Sequence, residues 1–427
     1  MVANVLVAQS GGPSAVINNS VRGVIDACRD NPSVFGRIYG AWHGIEGVLK
    51  EELLDISAQD DAEIRLLETT PAAGAIGTCR YKLKDKQADD FQRVVDVLRA
   101  HNIGFFFYAG GNDSMDTANK IAQLAAKQGL NLVAVGVPKT IDNDVGDADF
   151  KLVDHTPGYG STARYWAVNL LGANEENAGS CPADPVLVLQ AMGRKIGFIP
   201  AAARLADPDR RLPIQIYLTE SGVTLQEIAD NVNAELKRSK RCIVVVSEGF
   251  DVGDIGAQKD AFGHTNFGAS DRTAQQLIVT YLNKVGLQAT GNARGQVPGT
   301  DQRHSSVLAS TVDLQEAYES GRYAAEIARK AGGGFMATIL RAPGEVYRAV
   351  YDQVPLDVVA NSERFFPKAW IAPNRMDVTD DFVRYASPLI GTEWVKVPLE
   401  NGLPRYTRFK PLFALRKCGA YVPQAYR

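Results

Sequence analysis

The chain has 427 residues, with 46 Lys and Arg against 49 Asp and Glu, for a formal charge of −3. Hydrophobic residues make up 45% and charged residues 22%, which is enough apolar surface to offset ordering entropy and excludes disorder as the dominant state. At about 150 residues per domain the length implies two or three domains, and the balanced charge leaves no basic stripe for nucleic acid.

The predicted elements alternate strand, glycine, helix. Residues 4–8 (NVLVA) are a short apolar run that ends in Gln9-Ser10-Gly11-Gly12-Pro13, and a helix is expected from Ser14 with Val16, Ile17, Val21, Val24 and Ile25 on one side. Residues 105–108 lead to Gly110-Gly111-Asn112-Asp113-Ser114 and a helix through Lys127. Residues 132–137 lead to Pro138-Lys139-Thr140-Ile141-Asp142-Asn143-Asp144. The second half repeats the theme. Residues 186–189 lead to Met192-Gly193-Arg194, residues 214–218 to Thr219-Glu220, and residues 242–246 to Ser247-Glu248-Gly249, with helices expected over 224–237, 272–284 and 314–330. Short apolar strands without polar alternation read as parallel strands buried on both faces. Their alternation with helices predicts an α/β fold with right-handed crossovers. The expected division is 1–150, 151–330 with some chain crossing back near 303–330, and an extension over 331–427 that begins at the triple glycine 332–334.

Ligands of open parallel sheets bind beyond the carboxyl ends of the strands, and each motif above occupies such an end. Gly11-Gly12 opens a helix whose N-terminus suits phosphate; the pair serves a plain tight turn equally well. Asp113 is placed to organise Mg²⁺ or water or to reject an anion, and capping by Asp113 or Ser114 is the alternative. Asp142 and Asp144, one residue apart, are expected on the same side of an extended segment. With Lys139 they offer a base, a metal ligand and a counter-charge, the needs of phosphoryl transfer; ordinary loop capping is the alternative. Arg80, Arg164, Arg194, Arg294 and Arg303 collect near these ends, and a guanidinium fork matches phosphate oxygens.

Other signatures are missing. No GxxxxGK[ST], GxGxxG or GxSxG occurs, which excludes a P-loop and disfavours a dinucleotide dehydrogenase or nucleophile elbow. His43, His101, His155, His264 and His304 form no HExxH and read as core or surface residues. Cys28, Cys79, Cys181, Cys242 and Cys418 are scattered without CxxC, against a disulfide framework or zinc site and in favour of a reducing compartment. The N-terminus has no signal-peptide pattern and no apolar run approaches a membrane span, so a cytoplasmic protein without membrane partners is expected.

Taken in order, these motifs resemble the phosphofructokinase family over about the first 330 residues, with Pro-Lys-Thr-Ile-Asp-Asn-Asp at 138–144 as the specific element. The resemblance implies two Rossmann-like, three-layer α/β domains with mostly parallel sheets and the active site between them, residues 1–150 serving the donor and 151–330 the sugar phosphate. It implies Mg²⁺-dependent transfer of a phosphoryl group to the 1-hydroxyl of fructose 6-phosphate, a reaction of glycolysis. Asp142 becomes the general base and Asp144 a Mg²⁺ ligand that orients it. Asn112 stands where the family has a Mg²⁺-associated aspartate. Thr140, Ile141, Met192, Gly193, Arg194, Glu248, Thr300 and Gln302 line the sugar pocket, and Arg294 and Arg303 grip the 6-phosphate. Gly11, Gly12, Arg80 and Lys82 hold the donor. Thr300 stands where bacterial ATP-using relatives have a histidine, and Pro185 where they have an intersubunit arginine.

Donor identity turns on Asp113 and Lys139. ATP-using members typically carry glycine at both positions, some of them carrying the lysine as well, so Asp113 bears the weight of the donor assignment; the pattern here is similar to the pyrophosphate-dependent branch. A carboxylate at 113 repels an α-phosphate and fills its space, and an ammonium at 139 neutralises charge on a pyrophosphate leaving group. The expected substrates are pyrophosphate and fructose 6-phosphate, and the expected assembly is a homo-oligomer, dimer or tetramer. An ATP-using enzyme and a catalytically silent sugar-phosphate sensor are the alternatives.

Overall fold

The computed structural model describes residues 2–427 apart from 85, 254, 255, 257, 260–264 and 361; His264 lies outside the described residues. Its strands in chain order are β1 (Ala3–Gln9), β2 (Phe35–Ala41), β3 (Leu53–Asp55), β4 (Ile103–Gly110), β5 (Val133–Pro138), β6 (Val186–Ala191), β7 (Ile214–Tyr217), β8 (Cys242–Ser247), β9 (Gln258–Lys259), β10 (Thr265–Asn266), β11 (Ala293–Gln296), β12 (Phe335–Arg341) and β13 (Ala349–Pro355), followed by a two-residue pair at Leu399–Glu400 and Leu403–Pro404. Seven build one sheet in the order β13-β12-β5-β4-β1-β2-β3. Its interior pairs are parallel and its edge strands β13 and β3 are antiparallel. Four build a second, all-parallel sheet in the order β11-β6-β8-β7.

Each sheet separates two cores, which is why its strands are apolar without alternation. In β1, Leu6 and Ala8 enter one core while Val5 and Val7 enter the other. In β6, Leu187 and Leu189 face one core and Val186 and Val188 the opposite one. Helices cover both faces. Ile17–Arg29 and Thr311–Lys330 cross so closely that a Cβ on Gly23 would lie 2.0 Å from the Tyr318 carbonyl oxygen, and one on Gly321 2.0 Å from that of Ser20. This contact between backbones docks residues 311–330 onto the helix layer of the first sheet.

The expected strands and helices are present with small shifts, the first helix beginning at Ile17 rather than Ser14. Unforeseen elements include β2, β3, β11, β12, β13, the helix Ala88–Ala100 and the helix Tyr159–Ser180. The last is buried around much of its girth, so its apolar residues are not segregated to one stripe. The segment expected as an extension does not stand apart: β12 pairs with β5 and β13 with β12, completing the first sheet. Beyond them the chain runs from Leu356, Val359 and Ala360 in the core of the first sheet to Phe366 in that of the second. It then returns, Ala414 N–H bonding the Leu53 carbonyl at 2.9 Å and the Tyr421 hydroxyl bonding Asp90 at 2.6 Å.

All five cysteines are free. His101 is buried against Glu51, and His155 between Asp154 and Glu316. Among the described residues no helix is long and apolar enough to cross a membrane.

Candidate active site

The carboxyl ends of β1, β5, β6 and β8, with the loop after β11, bound one cleft of about 320 Å³ between the two sheets. At the end of β1 the backbone turns at Gly11 (φ +76°). Its N–H bonds the Cys79 carbonyl at 3.0 Å, and its carbonyl accepts from the Thr78 hydroxyl at 3.0 Å. Residues 78–80 therefore run beside the turn and deliver Arg80. Lys139 Nζ donates to the Gly12 carbonyl at 2.7 Å. A Cβ on Gly12 would lie 2.9 Å from Arg303 Nη1 and 3.7 Å from Arg80 Nη2. Three cations from three distant segments thus close on a glycine that offers no side chain to keep them away.

Next to the cleft lies a smaller pocket of about 60 Å³, which shares Gly12, Arg80, Lys139, Thr140 and Arg194 with it and adds residues 111–114 and Asp144. Asp113 sits in the first turn of the helix Asn112–Lys127, where the helix dipole favours a carboxylate. Lys82 Nζ donates to Asp113 Oδ1 at 2.7 Å. Lys82 itself lines neither pocket, so it holds Asp113 instead of reaching into the donor space. Asn112 lines the small pocket with its amide engaged: Nδ2 donates to the Ser362 carbonyl at 2.8 Å, and Oδ1 accepts from Asp113 N–H at 3.0 Å.

The loop after β5 carries Lys139 through Asp144. Asp142 N–H bonds Thr140 Oγ1 at 3.1 Å, and Asn143 turns left-handed at φ +57°. The segment is therefore not extended. Asp142 lines the larger cleft and Asp144 the smaller pocket, which corrects the expectation that the two carboxylates share one side. On the opposite wall Gly193 and Arg194 both have positive φ. Arg194 N–H donates to Glu248 Oε1 at 3.0 Å, and its Nε stands 3.6 Å from Asp142 Oδ2. Gln302 is a buried strut: its Oε1 accepts from Met192 N–H and from Trp166 Nε1, both at 2.9 Å. Thr140, Ile141, Met192, Glu248, Thr300 and Arg303 line the cleft; Gly193 permits the turn without lining it. Arg303 Nε is buried without a protein partner.

Two of the five arginines do not converge here. Arg294, on edge strand β11, is about 70% exposed and bonds Asp184 at 2.5 Å, outside the cleft lining of its own chain. Arg164 donates to the Ile390 and Gly391 carbonyls, each at 2.9 Å. Sequence reasoning passed over Pro13, Gln190, Thr265, Phe267, Thr273 and Val297, which line the cleft without any chemical signature. It also passed over Ser362 and Arg364 behind the loops.

Crowding these charges away from water draws their pKa values together. Burial raises Asp142 to about 6, helped by the neighbouring Asp144 and resisted by Arg194, Lys139 and Arg303. Burial lowers Lys139 to about 8, against the pull of Asp142. Glu248 rises to about 7, again mainly through burial, with the Arg194 N–H bond opposing. A carboxylate poised near neutrality, facing a cleft and flanked by cations, is equipped to accept a proton while an anion reacts beside it.

The sequence profile of the phosphofructokinase family matches residues 4–328. The chain belongs to the phosphofructokinase family. Two relatives named pyrophosphate–fructose 6-phosphate 1-phosphotransferase are similar over nearly full length. That of Halomonas elongata is 38% identical over 414 residues, covering 95% of this chain and 96% of the relative. That of Xanthomonas campestris pv. campestris is 36% identical over 429 residues, covering 98% and 99%. The crystal structure of a pyrophosphate-dependent phosphofructokinase from Marinobacter aquaeolei superposes with a TM-score of 0.87 at 33% identity, covering 99% of this chain and 100% of that one. The phosphofructokinase profile ends before β12, so the segment from β12 to Phe366 lies outside the matched span.

Proposed function

We propose that this phosphofructokinase transfers a phosphoryl group from pyrophosphate to the 1-hydroxyl of fructose 6-phosphate, giving fructose 1,6-bisphosphate and phosphate. The observation that carries the reading is the carboxylate that guards the donor side. Asp113, fixed by Lys82 at 2.7 Å, borders the small pocket and sets a carboxylate where it repels the α-phosphate of a nucleotide, which favours a compact inorganic donor. The names of the relatives support the same donor.

In this reading the sugar phosphate occupies the larger cleft. Its 1-hydroxyl oxygen attacks one phosphorus of pyrophosphate, the bridging P–O bond breaks, phosphate departs with that electron pair, and Asp142 takes the hydroxyl proton. Lys139 and Arg80 offset the charge that builds on the departing phosphate. Thr140 contacts the sugar, Glu248 accepts from its hydroxyls, and Met192, Gly193 and Arg194 shape the wall, with Gln302 fixing the Met192 backbone. Arg303 faces the terminal phosphate beside Thr300. Arg294 reaches a sugar phosphate only where a second copy of the chain brings it in, which agrees with a homo-oligomer and is checked by light scattering of the purified protein.

Mg²⁺ suits the small pocket. It takes hard oxygens, one or two carboxylates together with substrate phosphates, and Asp144 is the carboxylate placed to join a pyrophosphate there. Asn112 contributes by its neutral amide at the pocket edge. Bound there, the ion would neutralise phosphate charge. The free thiols support a cytoplasmic location.

Pyrophosphate and a sugar phosphate ester are close in transfer potential, so the reaction is reversible. The test is a donor panel of pyrophosphate, ATP and ADP against fructose 6-phosphate with Mg²⁺. Product from pyrophosphate is expected; strong ATP activity with none from pyrophosphate refutes the donor assignment.

A further inference from the structure

We propose that Arg364 is a positioning residue for the reaction, setting the orientation of the loop that carries Asp142 and Asp144, and that Ser362 joins this loop to the donor loop at Asn112. The inference rests on the phosphotransferase reading, and deepens it with residues outside the span matched by the family profile.

Arg364 is about 1% exposed. Its Nε and Nη2 donate to the Asn143 carbonyl at 3.1 and 3.0 Å, Nη2 also reaches Asn143 Oδ1 at 2.9 Å, and Nη1 donates to the Val153 carbonyl at 2.6 Å. Its backbone N–H donates to the Asp144 carbonyl at 2.7 Å. The guanidinium lies over the Phe150 ring, 4.3 Å from its centroid. Asn143, between the two carboxylates, sits at φ +57°, a left-handed conformation that asparagine tolerates better than most residues with a Cβ and that the surrounding hydrogen bonds fix in place. Arg364 occupies both oxygens of this residue. Asn143 Oδ1 also accepts from Thr156 N–H at 3.2 Å, and Nδ2 donates to the Tyr385 hydroxyl at 2.9 Å.

A filler of this space needs no charge, and a buried guanidinium is costly to desolvate. The planar fork is what an apolar side chain or a lysine cannot copy: it donates at once to the carbonyl and side-chain oxygens of Asn143 and to the Val153 carbonyl. The turn at Asn143 sends Asp142 to the sugar cleft and Asp144 to the small pocket. Two residues earlier, Ser362 Oγ accepts from Gly146 N–H at 3.2 Å, and its carbonyl accepts Asn112 Nδ2 at 2.8 Å. Residues 362–364 thus hold the loop at 143, 144 and 146 and the donor loop at 112. They do so between Val359, anchored in the core of the first sheet, and Phe366, anchored in that of the second.

The test compares Arg364→Ala and Arg364→Lys with the wild type by circular dichroism, thermal unfolding and steady-state kinetics. The kinetics use whichever donor the wild type accepts, so a wrong donor assignment leaves this test intact. Folded Arg364→Ala is expected to lose about 100-fold in kcat, the scale of an ångström of misplacement, with KM for both substrates within about threefold. Millimolar guanidinium ion is expected to recover part of that kcat and to leave the wild type unimproved. A folded alanine variant with kcat within about threefold of wild type overturns the proposal, as does a loss that guanidinium does not relieve. If the alanine variant does not fold, Arg364→Lys decides. A fall of about tenfold in kcat at unchanged KM supports the role, and wild-type kcat overturns it.

Discussion

Lys139 sets stability against activity, and pH is expected to exchange the two. The residue is about 5% exposed, and burial brings its pKa from 10.5 to about 8 against the pull of Asp142. A lysine depressed in this way binds its proton less tightly folded than unfolded. Below about pH 8 the folded state carries a charge it disfavours, which lowers stability by about 3 kcal/mol. Between about pH 8 and 10.5 the unfolded chain holds the extra proton, so the contribution to stability rises with pH across that window. Lys139→Met removes the charge and keeps most of the volume. At pH 7 the variant is expected to be more stable than wild type by about 3 kcal/mol, and near pH 9.5 by markedly less. Activity runs the other way, because the protonated ammonium is the form that receives the leaving phosphate. Wild-type kcat/KM is expected to fall above about pH 8 as Lys139 loses its proton, and below about pH 6 as Asp142 gains one. Lys139→Arg, whose guanidinium does not titrate in this range, is expected to lose the alkaline limb whatever its absolute rate. The assays are urea unfolding of wild type and Lys139→Met across the pH series, and kcat/KM profiles of wild type and Lys139→Arg. A methionine variant less stable than wild type at pH 7, a gap that does not narrow with pH, or an unchanged alkaline limb in Lys139→Arg refutes the reasoning.

Asp142→Asn keeps the shape of the base and removes its function, so kcat is expected to fall about 100- to 10,000-fold with KM for fructose 6-phosphate little changed; steady-state rates check this. Asp113→Gly removes the carboxylate beside the small pocket and frees Lys82 from its ion pair, and is expected to raise kcat/KM for ATP relative to pyrophosphate. A ratio that does not move would mean that Asp113 neither blocks nor repels the nucleotide. Chelation of Mg²⁺ is expected to abolish turnover reversibly. Asp144→Asn is expected to raise the Mg²⁺ concentration for half-maximal rate by about tenfold, one carboxylate ligand's worth of affinity, as read by metal titration.

What was legible in the sequence follows from the geometry of buried parallel strands. β1, β4, β5, β6 and β8 are apolar without alternation because both faces are covered, and chemistry in such sheets collects beyond their carboxyl ends. Gly11, Gly12, Lys139, Asp142 and Arg194 were therefore placed by position, and Met192 and Glu248 took their roles from the family resemblance. The shortfalls come from contacts that spacing does not encode. Asp142 and Asp144 are two apart, but the i, i+2 rule presumes an extended backbone, and the left-handed Asn143 between them sends one to each pocket. Arg294 and Arg303 are nine positions apart with the same side chain. One lies on an edge strand beside Asp184 and the other packs over Gly12, and nothing local separates them. Lys82 reads as a donor-binding cation until Asp113, 31 residues away, is seen to take its charge. Arg364 sits in Ser-Glu-Arg-Phe-Phe, a stretch that resembles solvated surface. It is buried because β12 and β13 complete one edge of the first sheet, after which the chain enters the core of the second directly behind Asn143. The reacting groups are thus set by local pattern, whereas their aim depends on a return of the chain some two hundred residues later, beyond the reach of any window of sequence.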